Sequence, residues 1–211
     1  VKNLPPPLNV VIQSIADWWD ALFVLAGLSI LWVLAWMTVV LGPPATLGLF
    51  CVANELAHGR GAGWEEFIAG ARGYLVKSLL WGLMNLAALV LFSVSFIFYG
   101  QVRSVWGLSL QMMVLVICLL WLSAQFYTLP FLLEQEQKRI LLAVKNGLMT
   151  SLASPIYTLV IVVLTVLVSG VSLILVFPLI LGVPGLVAVL SNRALLERLE
   201  TFGIRTPDQT P

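Results

Sequence analysis

The sequence predicts an all-α, polytopic transmembrane helical bundle of about five spans, with amphipathic cytoplasmic helices, in a single domain covering residues 1–211. Three observations predict it. Hydrophobic residues make up 60% of the chain and charged residues only 10%, with a mean hydropathy of +1.02. A soluble domain carries about 25% charged residues to face water. The charges that are present are bunched, which leaves long charge-free runs such as hydrocarbon demands of its solutes. The basic residues also fall on alternate connections between those runs, as they do in membrane proteins with a defined orientation.

A spanning helix needs about 20 apolar residues to cross a core roughly 30 Å thick. Residues 21–41, 79–99 and 108–129 meet this without an Asp, Glu, Lys or Arg. Residues 155–190 are also free of charge, but as one helix they would reach roughly 54 Å, far more than a bilayer needs. Pro178, Gly182, Pro184 and Gly185 supply turn residues within this stretch, so it divides into spans 156–177 and 179–196. With five spans, Arg60, Arg72, Lys77, Lys138, Arg139, Lys145, Arg193, Arg198 and Arg205 share one side, against Lys2 and Arg103 on the other. Positive residues collect in the cytoplasm. The expected arrangement is therefore a multi-pass membrane protein, amino terminus outside and carboxyl terminus cytoplasmic.

The cytoplasmic connections 43–78 and 134–154 read as more than loops. Trp64, Phe67, Ile68, Ala71 and Leu75 recur at helical spacing with Glu65, Glu66 and Arg72 elsewhere on the wheel, the pattern of an interfacial helix. Ile140, Leu141 and Val144 do something comparable. Residues 72–79 can be laid on residues 145–152 with coincident leucine, serine and leucine, which hints at two related hairpins.

Three stretches resemble the YesL family of small bacterial membrane proteins, a domain of unknown function. They are Gly42-Pro43-Pro44-Ala45-Thr46-Leu47-Gly48-Leu49-Phe50, Thr128-Leu129-Pro130-Phe131 followed by Ala143-Val144-Lys145-Asn146-Gly147-Leu148, and Ser191-Asn192-Arg193-Ala194-Leu195. The resemblance covers the chain from about Asp17 to Leu196 and implies a multi-span inner-membrane protein, in some cases associated with carbohydrate uptake. It implies no activity and carries over no catalytic residue. The acidic tract Glu134-Gln135-Glu136 departs from the family's more apolar stretch.

Intramembrane ionisable groups mark proton and ion pathways, and the predicted spans 21–41, 79–99, 108–129 and 156–177 hold none. The only histidine, His58, sits beside glycines and is expected to be an exposed loop residue; no metal site and no cofactor is expected. The costly polar residues inside spans are Asn85, Gln111 and Gln125. They are either helix glue through interhelical hydrogen bonds or the lining of a solute cavity. Pro44, Ala45 and Thr46 form a breaker followed by a helix start, with Thr46 as a candidate cap over free amides. Lys145, Asn146, Asn192 and Arg193 are candidate cytoplasmic contacts. A net charge of +1 without a basic, aromatic-interleaved patch excludes nucleic acid as a partner. The expected partners are the lipid bilayer and another membrane protein or transport system. The reading is a non-enzymatic accessory or scaffold, which the resemblance links to sugar uptake; the alternative is a small transporter or channel with a polar intramembrane cavity.

Overall fold

The computed structural model describes residues 5–175 and 182–204. Lys2, Arg205, the end of the expected fourth span at 176–177, the Pro178 turn and the start of the expected fifth span at 179–181 lie outside them. The described residues form nine helices and no strand. They are α1 (Pro6–Asp20), α2 (Leu22–Met37), α3 (Gly42–Ala57), α4 (Trp64–Gly73) and α5 (Leu75–Gln101). The remainder are α6 (Val105–Glu134), α7 (Ile140–Ala153), α8 (Pro155–Leu175) and α9 (Val183–Thr201).

Helices α5, α6 and α8 are long and apolar enough to cross a membrane. The pair α1–α2 makes a fourth if its 89° bend is taken as a break within one span. The expected span 21–41 is thus realised as a helix of 16 residues that ends at Met37, with an additional helix α1 ahead of it. Helix α9, which occupies the place of the expected fifth span, is not among the apolar spanning helices. It carries Asn192, Arg193, Glu197, Arg198 and Glu200, and it packs against α1, α2, α3, α6 and α8.

Helix α3 is the centre of the body. It packs against α2, α4, α5, α6 and α9, and residues 42–49 are all buried. Proline suits the first helical positions because its missing N–H has no partner there and its φ is preset. Pro43 and Pro44 accordingly open the helix, which starts at Gly42. Leu47 joins an apolar cluster with Tyr127, Leu132, Ile161 and Leu195, while Leu49 and Val52 join a second with Leu25, Leu28 and Val189.

The chain folds back between α2 and α3 in a four-residue turn. Trp32 and Trp36 of α2 both donate to Thr46 Oγ1 of α3, at 2.9 and 3.3 Å, and Trp36 covers Gly42. Within the turn the amides of Thr38, Val39 and Val40 find backbone acceptors, and Leu41 N–H donates to Thr38 Oγ1. Val39 takes a φ of 59°, a conformation costly for a β-branched residue. Apart from Thr38, the side chains at this tip are apolar and exposed, Met37 at 77% and Val39 at 67%.

The connections 43–78 and 134–154 both contain helices, and α4 of the first and α7 of the second dock on the bundle. Phe67 of α4 lies over Gly48 of α3, and Cys51 of α3 lies against Gly70 of α4. Helix α7 lies along α6 with Gly147 against the Ala124 backbone. Each of these shorter helices abuts a long one through a single residue, Tyr74 before α5 and Ser154 before α8. The succession repeats, but out of the expected register: laying 72–79 on 145–152 pairs Tyr74 with Gly147, in the middle of α7.

Candidate functional site

The polar residues of the body converge on α9, where three successive side chains tie three different helices. Successive positions on a helix point about 100° apart, so a run of polar residues is accommodated only where neighbours surround the helix. Ser191 donates to the Phe126 carbonyl of α6. That carbonyl is freed because Pro130, four residues on, has no N–H to offer it. Asn192 is 1% exposed. Its Oδ1 accepts from Asn54 Nδ2 of α3 at 3.1 Å, and its own amide donates to the Ala188 carbonyl at 2.9 Å. Arg193 pairs with Asp17 of α1 through Nε and through Nη2, the latter at 2.9 Å.

The Asn54 amide extends this arrangement to the end of α6 by donating to Glu134 Oε1 at 2.7 Å. His58 completes it. Its Nδ1 lies 2.7 Å from the Asn54 carbonyl and its Nε2 lies 3.4 Å from Glu134 Oε1. Both neighbours are acceptors, and the ring donates at both positions only as an imidazolium. The expectation of an exposed loop histidine is corrected: α3 runs through Ala57, which puts His58 one turn below Asn54 with its side chain 7% exposed. Further along α9, Arg198 stacks 3.8 Å from the Tyr157 ring centroid and donates to Glu197 and to Ser154 at the α7–α8 break.

Asn192, expected as a cytoplasmic contact, is therefore an interior tie, and Arg193, expected with it, is a partly exposed tie to α1. Lys145 is exposed, and it faces a groove beside Lys77 and Arg139. Asn146 lines a different, largely apolar depression with Phe131, Met149 and Phe202.

Among the intramembrane polar residues, Asn85 and Gln125 meet. Gln125 Oε1 accepts from Trp81 Nε1 at 2.8 Å and from Asn85 Nδ2 at 3.2 Å, while Asn85 Oδ1 accepts from Trp121 Nε1 at 3.2 Å. Gln125 Nε2 is buried without a hydrogen-bond partner among the described residues. Gln111 stands apart, donating to the Phe96 carbonyl at 3.3 Å and packing beside Gly100. Fourteen residues along one helix separate it from Gln125 by about 21 Å, so the three do not form one cluster.

Thr46 is not a helix cap. The helix begins four residues earlier, and the hydroxyl donates to Gly42 O at 2.9 Å while receiving Trp32 and Trp36. Pro44–Ala45–Thr46 is thus the seam between α2 and α3. In α4, Glu66 reaches back to the Gly63 N–H at 2.7 Å, a bond that holds its carboxyl below the usual range. No group of three or more His, Cys, Asp or Glu side chains that could hold a metal ion occurs among the described residues.

The sequence reading missed Asn54, Glu134 and Asp17 as partners. Pro130 signals only the Ser191 tie, since a proline inside a helix frees a carbonyl, here that of Phe126, for another segment to satisfy; no local pattern marks the other three. No family model, no curated protein and no solved structure matches the chain.

Proposed function

We propose that the chain is a non-enzymatic, multi-pass membrane protein that scaffolds or assists another membrane system. The observation that carries this reading is the pairing of Asn85 and Gln125 with Trp81 and Trp121 between α5 and α6. These three bonds tie one helix to the other and serve as glue, with Gln125 Nε2 the one buried group of the cluster left without a partner among the described residues. Around them α5 and α6 present apolar side chains outward, including Leu83, Leu89 and Ile97, each more than 60% exposed. The YesL-like motifs are the ground for naming the bacterial inner membrane as the location and sugar uptake as the assisted system.

The test uses photo-crosslinking residues at Leu83, Leu89 and Ile97 in native membranes, together with proteoliposomes. One discrete protein adduct and no flux of ions or sugars above empty vesicles is the expected result. Flux that Asn85→Leu abolishes would overturn the reading in favour of the transporter.

The topology that fits this reading differs from five crossings. Pro43 packs on Gly82 of α5, and α5 continues a further 19 residues, about 28 Å, beyond that point. The α2–α3 tip therefore stops well short of the far end of α5. Apart from Thr38, whose hydroxyl donates to the Ala35 carbonyl, its exposed side chains are apolar, and its turn amides are largely satisfied internally, as a backbone turn within lipid requires. We read α2–α3 as a re-entrant hairpin, with both its ends and the amino terminus on the cytoplasmic side that holds most of the cations.

Single cysteines at Asp20, Glu136 and Arg103, in a chain with Cys51 and Cys118 replaced by serine, test this. An impermeant maleimide added to intact cells should label only Arg103→Cys. Labelling of Asp20→Cys from outside would restore the amino-terminus-outside arrangement.

A further inference from the structure

A second feature lies apart from the α9 ties. Between the start of α5 and the start of α7 runs a groove of about 680 Å³ whose walls include Lys77, Lys138, Arg139 and Lys145, with no carboxylate among its lining residues. In a chain of net charge +1, four cations on one groove are a concentrated charge. Lys138 is partly engaged, donating to the Leu133 carbonyl near the end of α6. Lys77 lies 5.3 Å from the Tyr74 ring centroid. Arg139 and Lys145 are exposed.

A second property of the groove points the same way. Helix α7 starts in it without a side-chain cap, and its first backbone bond runs from Ala143 N–H to Arg139 O. Residues 140–142, which carry the preceding amides, all line the groove. The first amides of a helix lack partners within it and favour an anion. Cations and an uncapped helix start thus face one space.

The rim identifies the kind of anion. Leu80 and Leu141 line the same groove and are 54% and 77% exposed, and Leu80 lies on a helix apolar enough to cross a membrane. A soluble phosphate has no use for such a rim, whereas a lipid brings acyl chains attached to its phosphate. Basic pockets at the cytoplasmic ends of membrane helices recognise anionic headgroups in this manner. We infer that the groove between α5 and α7 binds the headgroup of an anionic phospholipid, with Lys77, Arg139 and Lys145 as its principal phosphate contacts. This rests on the membrane-embedded reading of α5.

The test is native mass spectrometry of the full chain in a nonionic detergent, titrated with phosphatidylglycerol or with phosphatidylcholine. The wild-type chain should retain phosphatidylglycerol at concentrations at least about tenfold lower than phosphatidylcholine. The variant Lys77→Gln/Arg139→Gln/Lys145→Gln, which spares Lys138, should lose that preference. Arg60→Gln/Arg72→Gln/Arg103→Gln, which removes equal charge elsewhere, should keep it. The single change Lys145→Glu, at an exposed position, should weaken the preference without altering the thermal melt, which keeps the test decisive if the triple variant folds poorly. Millimolar inorganic phosphate should not displace the lipid; displacement would mean a site for soluble phosphate and overturn the inference. A preference retained by both groove variants, or lost equally by the control, would do the same. Release of the wild-type chain from membranes by alkaline carbonate would instead sink the membrane reading itself, a failure distinct from equal retention of the two lipids.

Discussion

A Gly147→Leu chain is expected to fail to assemble, while Gly170→Leu folds as the parent does. The contrast follows from what each glycine faces. A Cβ at Gly147 would stand 2.6 Å from the Ala124 carbonyl oxygen and 3.5 Å from Thr128 N, both backbone atoms of α6. Backbone within a helix cannot step aside as a side-chain end does, so α6 and α7 would have to separate. Overpacking a tight site costs about 1–3 kcal/mol for an added methyl-sized group, and occasionally more; leucine takes the cost to the upper end or beyond. Gly170 of α8 has no atom within 4 Å of an added Cβ, and alanine there should raise stability by up to about 1 kcal/mol through helix propensity. Thermal melts of the purified chains in detergent check both, with Gly147→Ala as the graded case. A Gly147→Leu melt equal to that of Gly170→Leu would mean that the two helices are not in contact as described.

That contact illustrates which parts of the fold are legible in the residues. Long charge-free runs identify α5, α6 and α8, because hydrocarbon burial leaves a direct compositional trace. The ends of α5 and α6 extend past the expected limits. Helix α5 takes in Lys77 and α6 runs through Pro130 to Glu134, since a charge or a proline near a helix end need not stop it when neighbouring elements satisfy its backbone. Helix α1 had a signal in the prolines at its start and in Val10 and Ser14, one turn apart and both buried, but its polar residues gave it no resemblance to a span. The α2–α3 hairpin was hidden because Pro43–Pro44 reads equally as the end of one helix and the start of another. Hydropathy also assigned α9 to the bilayer by its apolar first half, although Asn192 and Arg193 are what an enclosed helix uses to bind its neighbours. For the candidate site, Gln111 could have been set aside from spacing alone, since it lies four turns from Gln125 on the same helix. The pairing of Asn85 with Gln125, by contrast, depends on how α5 and α6 align, which no local pattern contains.

Asn54→Leu is expected to produce the largest loss among the polar ties, about 3–5 kcal/mol. The side chain is the junction of three helices: its two amide protons go to Glu134 Oε1 of α6 and to Asn192 Oδ1 of α9. Removing it leaves a partly buried carboxylate with His58 as its remaining tie here, and leaves an acceptor on a residue 1% exposed without its donor. Unpaired buried groups of this kind are more costly than the bonds themselves are stabilising. The same reasoning predicts strong coupling. Asn54→Leu combined with Asn192→Leu removes donor and acceptor together, so the double variant should lose at least about 1 kcal/mol less than the two single losses combined. Denaturation of the four chains measures this cycle; losses that add within about 0.5 kcal/mol would mean the two side chains act independently. Glu134→Gln separates charge from hydrogen bonding at the third corner. Its amide oxygen can still accept from Asn54, so a small loss assigns the junction to hydrogen bonding, whereas a loss matching Asn54→Leu assigns it to the Glu134 charge opposite His58.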